Sequence, residues 1–281
     1  VYSIDQVDLN LTGLQGNFVF YMLMTSPATG FAVGTVNSPF ASSGTFEGVS
    51  LAGFVSSKAN ADTYGNNSLN APLVLSTLGA PPPLCCTTST DTTLGFASGF
   101  NSSAGTFNLQ FDRVSGGVAN LNQTMTGATY SVASNGRATV SYSAGENTLN
   151  YVYYLDGDND GYILGLGSSA EFGFFQPQAA GPFTTASING NFGGATFFPL
   201  TPASPNFATE FTLNNGTLTA NSPGGALMGT YAVGASGRGT GSVNLPVLGG
   251  SSLVMYVIGP GSVEVMGSDN TMSDAITFMH F

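Results

Sequence analysis

The sequence predicts an all-β protein made of two tandem antiparallel meander modules, each barrel-like with about eight strands, the first carrying a long insertion. Three observations predict this. The phrase Thr129-Tyr-Ser-Val-Ala-Ser-Asn-Gly-Arg-Ala-Thr139 returns as Thr230-Tyr-Ala-Val-Gly-Ala-Ser-Gly-Arg-Gly-Thr240, an internal repeat with the form of a β-hairpin: alternating side chains, a turn closed by Gly136 or Gly237, then a second alternating run. A second echo, Leu14-Gln-Gly-Asn-Phe18 and Ile188-Asn-Gly-Asn-Phe192, stands at the expected first strand of each module. Helical periodicity is nearly absent, because 39 glycines and 14 prolines interrupt every long window, while short runs of Val, Phe, Tyr and Thr recur between turn clusters.

In chain order, residues 1–15 read as an N-terminal extension strand in which Val7, Leu9 and Leu11 alternate with Asp8 and Asn10. Such a spare strand either adds to its own sheet or completes a neighbour's edge, the logic of donor-strand polymers. Module one covers 16–178. Its first strand is expected around Phe18–Met24, and an insertion over 25–103 is too long for a plain loop and is expected to carry strands of its own. Further strands are expected near 104–112, 116–122, 125–133, 137–143, 149–155, 161–167 and 171–176. A Pro-punctuated linker, 179–188, leads to module two at 189–281, with strands near 190–198, 206–213, 215–220, 226–234, 238–245, 252–258, 261–267 and 274–281. Sequential short strands joined by tight turns are the pattern of an up-and-down meander, closed or nearly so.

Composition bounds the function. Hydrophobic residues make up 42% of the 281 positions and charged residues only 7%, against about 25% charged in an ordinary domain. Ser, Thr, Asn and Gly fill the surface instead, as in secreted proteins, adhesins and fibre subunits. The formal charge of −11, with four basic residues, excludes nucleic acid, which needs a basic stripe, and disfavours an anionic membrane. No apolar run is long enough for a transmembrane helix. An outer-membrane β-barrel is disfavoured because each module carries its own closing strand.

The most specific local pattern is Asp156-Gly-Asp158-Asn-Asp160-Gly161. Alternating carboxylates before a glycine converge oxygens as in calcium loops, yet the twelfth position is Gly167 and Asp-Asn-Gly runs also make solvated hairpin turns; calcium at Asp156, Asp158 and Asp160 and a bare turn both fit. The two cysteines, Cys85 and Cys86, are adjacent, which leaves a vicinal disulfide, bonds to another subunit, or two thiols. Arg137 and Arg238 follow the repeat's turn glycine, so a repeat-specific salt bridge or carbonyl contact explains them better than anion binding. Tyr130 and Tyr231 read as core or rim tyrosines. One histidine, His280, with no nucleophile elbow or His/Cys cluster, leaves hydrolase and zinc chemistry without parts; without tryptophan or a discernible acid pair, a glycosidase is disfavoured. No catalytic residue and no cofactor beyond calcium is expected.

The order Leu/Ile-x-Gly-Asn-Phe, then Tyr-x-Val-x-x-x-Gly-Arg-x-Thr, then an apolar tyrosine-bearing strand (Tyr151–Tyr154, Met255–Ile258), with the junction Pro182-Phe-Thr-Thr-Ala-Ser-Ile-Asn-Gly-Asn-Phe192, resembles uncharacterised exported β-repeat proteins of Acidobacteria and other environmental bacteria. The resemblance implies export and a repeated β fold and carries no chemistry with it. The function expected from the residues is an extracellular or cell-surface structural protein that self-assembles into a filament, pilus or surface coat, a homo-polymer joined through the N-terminal strand. The alternative is a secreted binding module: an adhesin gripping a surface or carbohydrate through the insertion, or a barrel holding a small apolar ligand.

Overall fold

A computed structural model describes residues 4–9, 18–24, 29–36, 50–56, 63–80, 91–115, 117–144, 147–157, 159–166, 170–196, 208–222, 225–245, 249–268 and 275–280. The described chain is all-β, with single-turn 3-10 helices as its helical pieces, and falls into two compact units, Val1–Ala61 and Asp62–Phe281. The first is a four-stranded antiparallel meander of β1 (Ile4–Leu9), β2 (Phe18–Met24), β3 (Thr29–Val36) and β4 (Ser50–Ser56). In it β1 pairs with β2, Val7 opposite Phe20 and Leu9 opposite Phe18. Leu11 lies outside the described residues.

The second unit holds two closed eight-stranded barrels. The first barrel runs β5 (Leu73–Ala80), β6 (Asp91–Asn101), β7 (Thr106–Ser115), β8 (Val118–Val132), β9 (Arg137–Ala144), β10 (Asn147–Gly157), β11 (Asp160–Gly165) and β12 (Ala170–Pro177), and β12 pairs back onto β5. The second runs β13 (Gly190–Thr196), β14 (Ala208–Asn214), β15 (Thr217–Ser222), β16 (Gly225–Val233), β17 (Arg238–Leu245), β18 (Gly249–Gly259), β19 (Ser262–Gly267) and β20 (Ala275–His280), closed by β13 with β20. Closure pairs every strand on both sides and removes the exposed edges of an open sheet.

All eight strands expected in module two are present. Module one differs at its start: Phe18–Met24 belongs to the separate four-stranded sheet, and the first barrel opens with β5 and β6, from inside the expected insertion. The physical reason is that Leu69-Asn70-Ala71-Pro72-Leu73 does in barrel one what Ile188-Asn189-Gly190-Asn191-Phe192 does in barrel two. Leu69 and Ile188 are both buried in the lumen, as are Leu73 and Phe192; the apolar positions are kept while the letters between them change. The strands expected at 116–122 and 125–133 form one strand, β8, because Asn122 (φ 53°) and Gly127 (φ 76°) absorb irregularities in its pairing with β7 rather than ending it.

Each barrel is stoppered at one end by a 3-10 turn, Asn66–Ser68 or Thr185–Ile188, and the repeated phrase is what holds it. Tyr130 N–H donates to Gly105 O and Tyr231 N–H to Gly216 O, both at 2.8 Å. The Val132 amide donates to Asn66 Oδ1 at 2.8 Å, and the Val233 amide to Thr185 Oγ1 at 3.1 Å. At the turn glycines φ is 82° and 89°. A Cβ there would meet the Tyr64 ring at Gly136 and the Phe183 ring at Gly237, which is why the phrase keeps glycine at this point.

Both lumens are packed with side chains. Barrel one stacks Tyr142 on Tyr151 at 5.3 Å and Tyr153 on Phe175 at 4.9 Å between ring centroids. Barrel two encloses Phe192, Phe211, Leu213, Leu218, Met255 and Val265.

Candidate functional site

Two polar constellations stand out, back to back on β7. Alternation along this strand turns Phe107, Leu109, Phe111 and Arg113 inward and Asp112 outward. Inside, the Arg113 guanidinium forks onto Glu171, Nη2 to Oε1 at 2.7 Å and Nη1 to Oε2 at 3.1 Å. It also donates to Thr93 Oγ1 at 2.8 Å and reaches Asp91 Oδ2 at 3.4 Å. Tyr151 and Thr77 donate their hydroxyls to Glu171 Oε2 at 2.9 and 3.1 Å. All six residues are buried. Burial by itself would lower the Arg113 value, but the hydrogen bond and charge of Glu171, aided by Tyr151 and Asp91, raise it instead. Tyr151 is pushed up from its ordinary range by burial and then by the Glu171 charge. Arginine and tyrosine are thus locked in their protonated forms, and among the described residues no buried side-chain nitrogen or oxygen lacks a partner. The cluster ties together β5, β6, β7, β10 and β12, which supply Thr77, Asp91 and Thr93, Arg113, Tyr151 and Glu171.

Outside, Asp112 is wholly buried and joins the two barrels. Arg238 of β17 donates Nε to Oδ2 at 2.7 Å and Nη2 to Oδ1 at 2.6 Å. Tyr256 of β18 donates its hydroxyl to Oδ2 at 2.7 Å, and the Asn122 amide donates to Oδ1 at 2.6 Å. Burial, then the Asp112 charge, raises the Tyr256 hydroxyl, while the hydrogen bond to Asp112 raises Arg238. Around this anchor Val254, Tyr256, Ile258 and Met266 of barrel two pack on Val74, Leu94 and Val114 of barrel one, with Phe96 and Ala119 at the margin. The barrels are therefore joined by two different faces, the outer side of β17–β19 on one and of β5–β7 on the other.

The residues singled out from the sequence fall as follows. Arg238 makes the expected salt bridge. Its repeat partner Arg137 is exposed and forms no ion pair among the described residues. Tyr130 and Tyr231 are buried core tyrosines whose hydroxyls donate to Asn66 O and Asn189 Oδ1. Asp156 and Asp160 flank a tight β10–β11 hairpin, with Gly157 paired to Asp160; Asp158 lies outside the described residues. Asn159 (φ 62°) pins this turn: its Oδ1 accepts the Asn70 and Ala71 amides at 2.8 and 2.9 Å, and its Nδ2 donates to Asn70 Oδ1 at 2.9 Å. Burial, then the Asp156 charge, raises Asp160. Among the described residues no group of three or more His, Cys, Asp or Glu is placed to hold a metal ion. Cys85 and Cys86 lie outside the described residues.

Arg113 is the buried charge that no sequence motif singles out. The signal was period two: Phe107, Leu109 and Phe111 mark the inward side, and Arg113 is next on it. Asp112 carries no such mark, since its partner is 126 residues away. No family model matches the chain, and no curated protein matches it either. No described helix is long and apolar enough to cross a membrane.

Proposed function

We propose that this chain is an extracellular structural protein, a self-assembling subunit of a filament, pilus or surface coat. The observation that carries the reading is the contact between the barrels: it joins two unlike faces through an apolar patch and a buried Arg238–Asp112 pair, and the same kind of contact made between chains, through the corresponding faces, would let copies add head to tail. Side-chain-filled lumens fit a building block better than a carrier of an apolar ligand. The weakly charged Ser, Thr and Asn exterior, seen along β8 from Asn120 to Thr126, suits close packing of like against like. The four-stranded sheet adds a second means of joining, since its outer strands β1, with Val7 and Leu9, and β4 are edges to which a strand of a neighbour can add.

Electron microscopy of the native material tests the reading. Regular polymers with a repeat set by the barrel pair are expected; dispersed single particles at every concentration would overturn it.

A further inference from the structure

We infer that copies of this chain join head to tail, the outer face of barrel one that carries Arg137, Tyr154 and Leu164 seating on the outer face of a neighbour's barrel two around Glu210 and Met228. The inference rests on the self-assembly reading above and names the surfaces it uses.

The template for the contact lies within the chain. Across β17, β18 and β19 the face that docks on barrel one reads, row by row, Arg238, Tyr256, Glu264 and then Thr240, Val254, Met266. Across β9, β10 and β11 the same rows read Arg137, Tyr154, Tyr162 and then Thr139, Val152, Leu164. Arg, Tyr, Thr and Val recur at equivalent places, and a leucine stands for the methionine. The difference is cover. Tyr256 and Met266 are both 0% exposed, whereas Tyr154 is 47% and Leu164 44% exposed, with Leu166 beside them at 54%. Val152 and Val254 are both 1% exposed and Thr139 and Thr240 are both exposed, so the difference lies at Tyr154 and Leu164, which barrel one presents to solvent where barrel two buries Tyr256 and Met266. Clustered apolar side chains beside an arginine with no ion pair among the described residues mark a contact surface rather than an ordinary exterior.

The occupant follows from what remains open. The outer face of β5–β7 in any copy is already covered by its own second barrel. The matching face of barrel two is that of β13–β15, where Glu210 and Thr212 of β14 and Thr219 of β15 line an open groove bounded by Met228 of β16, which is 65% exposed. Gly193 pairs with Glu210 as Val74 pairs with Phe96, so Glu210 stands one strand from the position of Asp112. That is the diagonal distance of about 7–8 Å that a long side chain spans. Arg137 of one copy then meets Glu210 of the next as Arg238 meets Asp112, and Tyr154 of β10 and Leu164 of β11 lie over β13 and β14 as β18 and β19 lie over β5 and β6, with Met228 at the margin. Each step repeats the barrel-to-barrel relation inside the chain and leaves a fresh face at both ends, so copies add head to tail.

Sedimentation velocity of the full chain over a range of concentrations tests this with Arg137→Glu, Glu210→Arg, the double variant, and an equimolar mixture of the two single variants. All substituted positions are exposed, and near-ultraviolet circular dichroism checks that the fold is kept. Wild type is expected to grow in size with concentration, and each single variant to associate roughly tenfold more weakly. The double variant and the mixture both restore the charge match and with it assembly. Single variants that assemble as wild type does would overturn these surfaces while leaving the polymer reading standing. A wild type that stays monomeric throughout would overturn both.

Discussion

The two barrels are built on one frame, and they differ in what fills them and in what covers them. Tyr142 and Tyr151 of barrel one stand where Val243 and Leu253 stand in barrel two, and the same end of barrel one encloses the Arg113–Glu171–Asp91 cluster. On the outside the relation reverses: barrel two buries its Arg-Tyr face against barrel one, while barrel one leaves its own half exposed. A duplicated fold keeps its hairpins and stopper because closure depends on them. The lumen and outer face, which closure does not fix, are where the copies have taken different parts.

The largest effect that separates the copies is expected in the lumen. Arg113→Ala leaves two carboxylates buried without their cation and costs about 3–5 kcal/mol in chemical denaturation; no substitution of Val243 by another aliphatic residue in the matching part of barrel two approaches this. Next comes the outer face. Tyr256→Ala opens a cavity at the joint and is expected to cost about 3 kcal/mol, whereas Tyr154→Ala stays within about 0.5 kcal/mol in dilute protein. Equal losses at the two tyrosines would mean that the faces do not differ as described.

The shared frame predicts equality instead. Gly136→Ala and Gly237→Ala each force a side chain into left-handed backbone against an aromatic ring, and each is expected to lower stability by about 1–2 kcal/mol. A large loss at one alone would break the equivalence of the stoppers. The smallest effect is at Asp160. Its folded value is raised above the ordinary 3.8, so the folded state holds this proton more tightly than the unfolded one, and stability falls as pH rises through that window. Asp160→Asn is therefore expected to gain under about 0.5 kcal/mol at neutral pH, with the gain gone in acid below the ordinary carboxylate range. A variant less stable than wild type at neutral pH would contradict this.

The hairpins were legible because the sequence repeats them: Thr129–Thr139 and Thr230–Thr240 form the β8–β9 and β16–β17 turns. The opening of barrel one was not, because the phrase Leu14–Phe18 ends at Phe18, the first residue of β2 in the four-stranded sheet, while barrel one keeps only the apolar positions Leu69 and Leu73. A usable signal was Gly105-Thr106-Phe107 against Gly216-Thr217-Leu218, which places the β6–β7 and β14–β15 turns in register and assigns the strand before Gly105 to the barrel. The joint was legible on one side only. Arg238 belongs to the repeat and drew attention, but Asp112 sits in a strand where nothing local distinguishes an outward acid that is buried from one that is wet.

Tyr154 and Tyr256 hold equivalent places on equivalent faces, one exposed and one covered. Chemical labelling of tyrosine, read residue by residue by mass spectrometry over a range of protein concentrations, tests that directly. Tyr256 is expected to be protected at every concentration, and Tyr154 to react freely in dilute protein and become protected as the concentration rises. Unchanged labelling of Tyr154 from dilute to concentrated protein would contradict the claim.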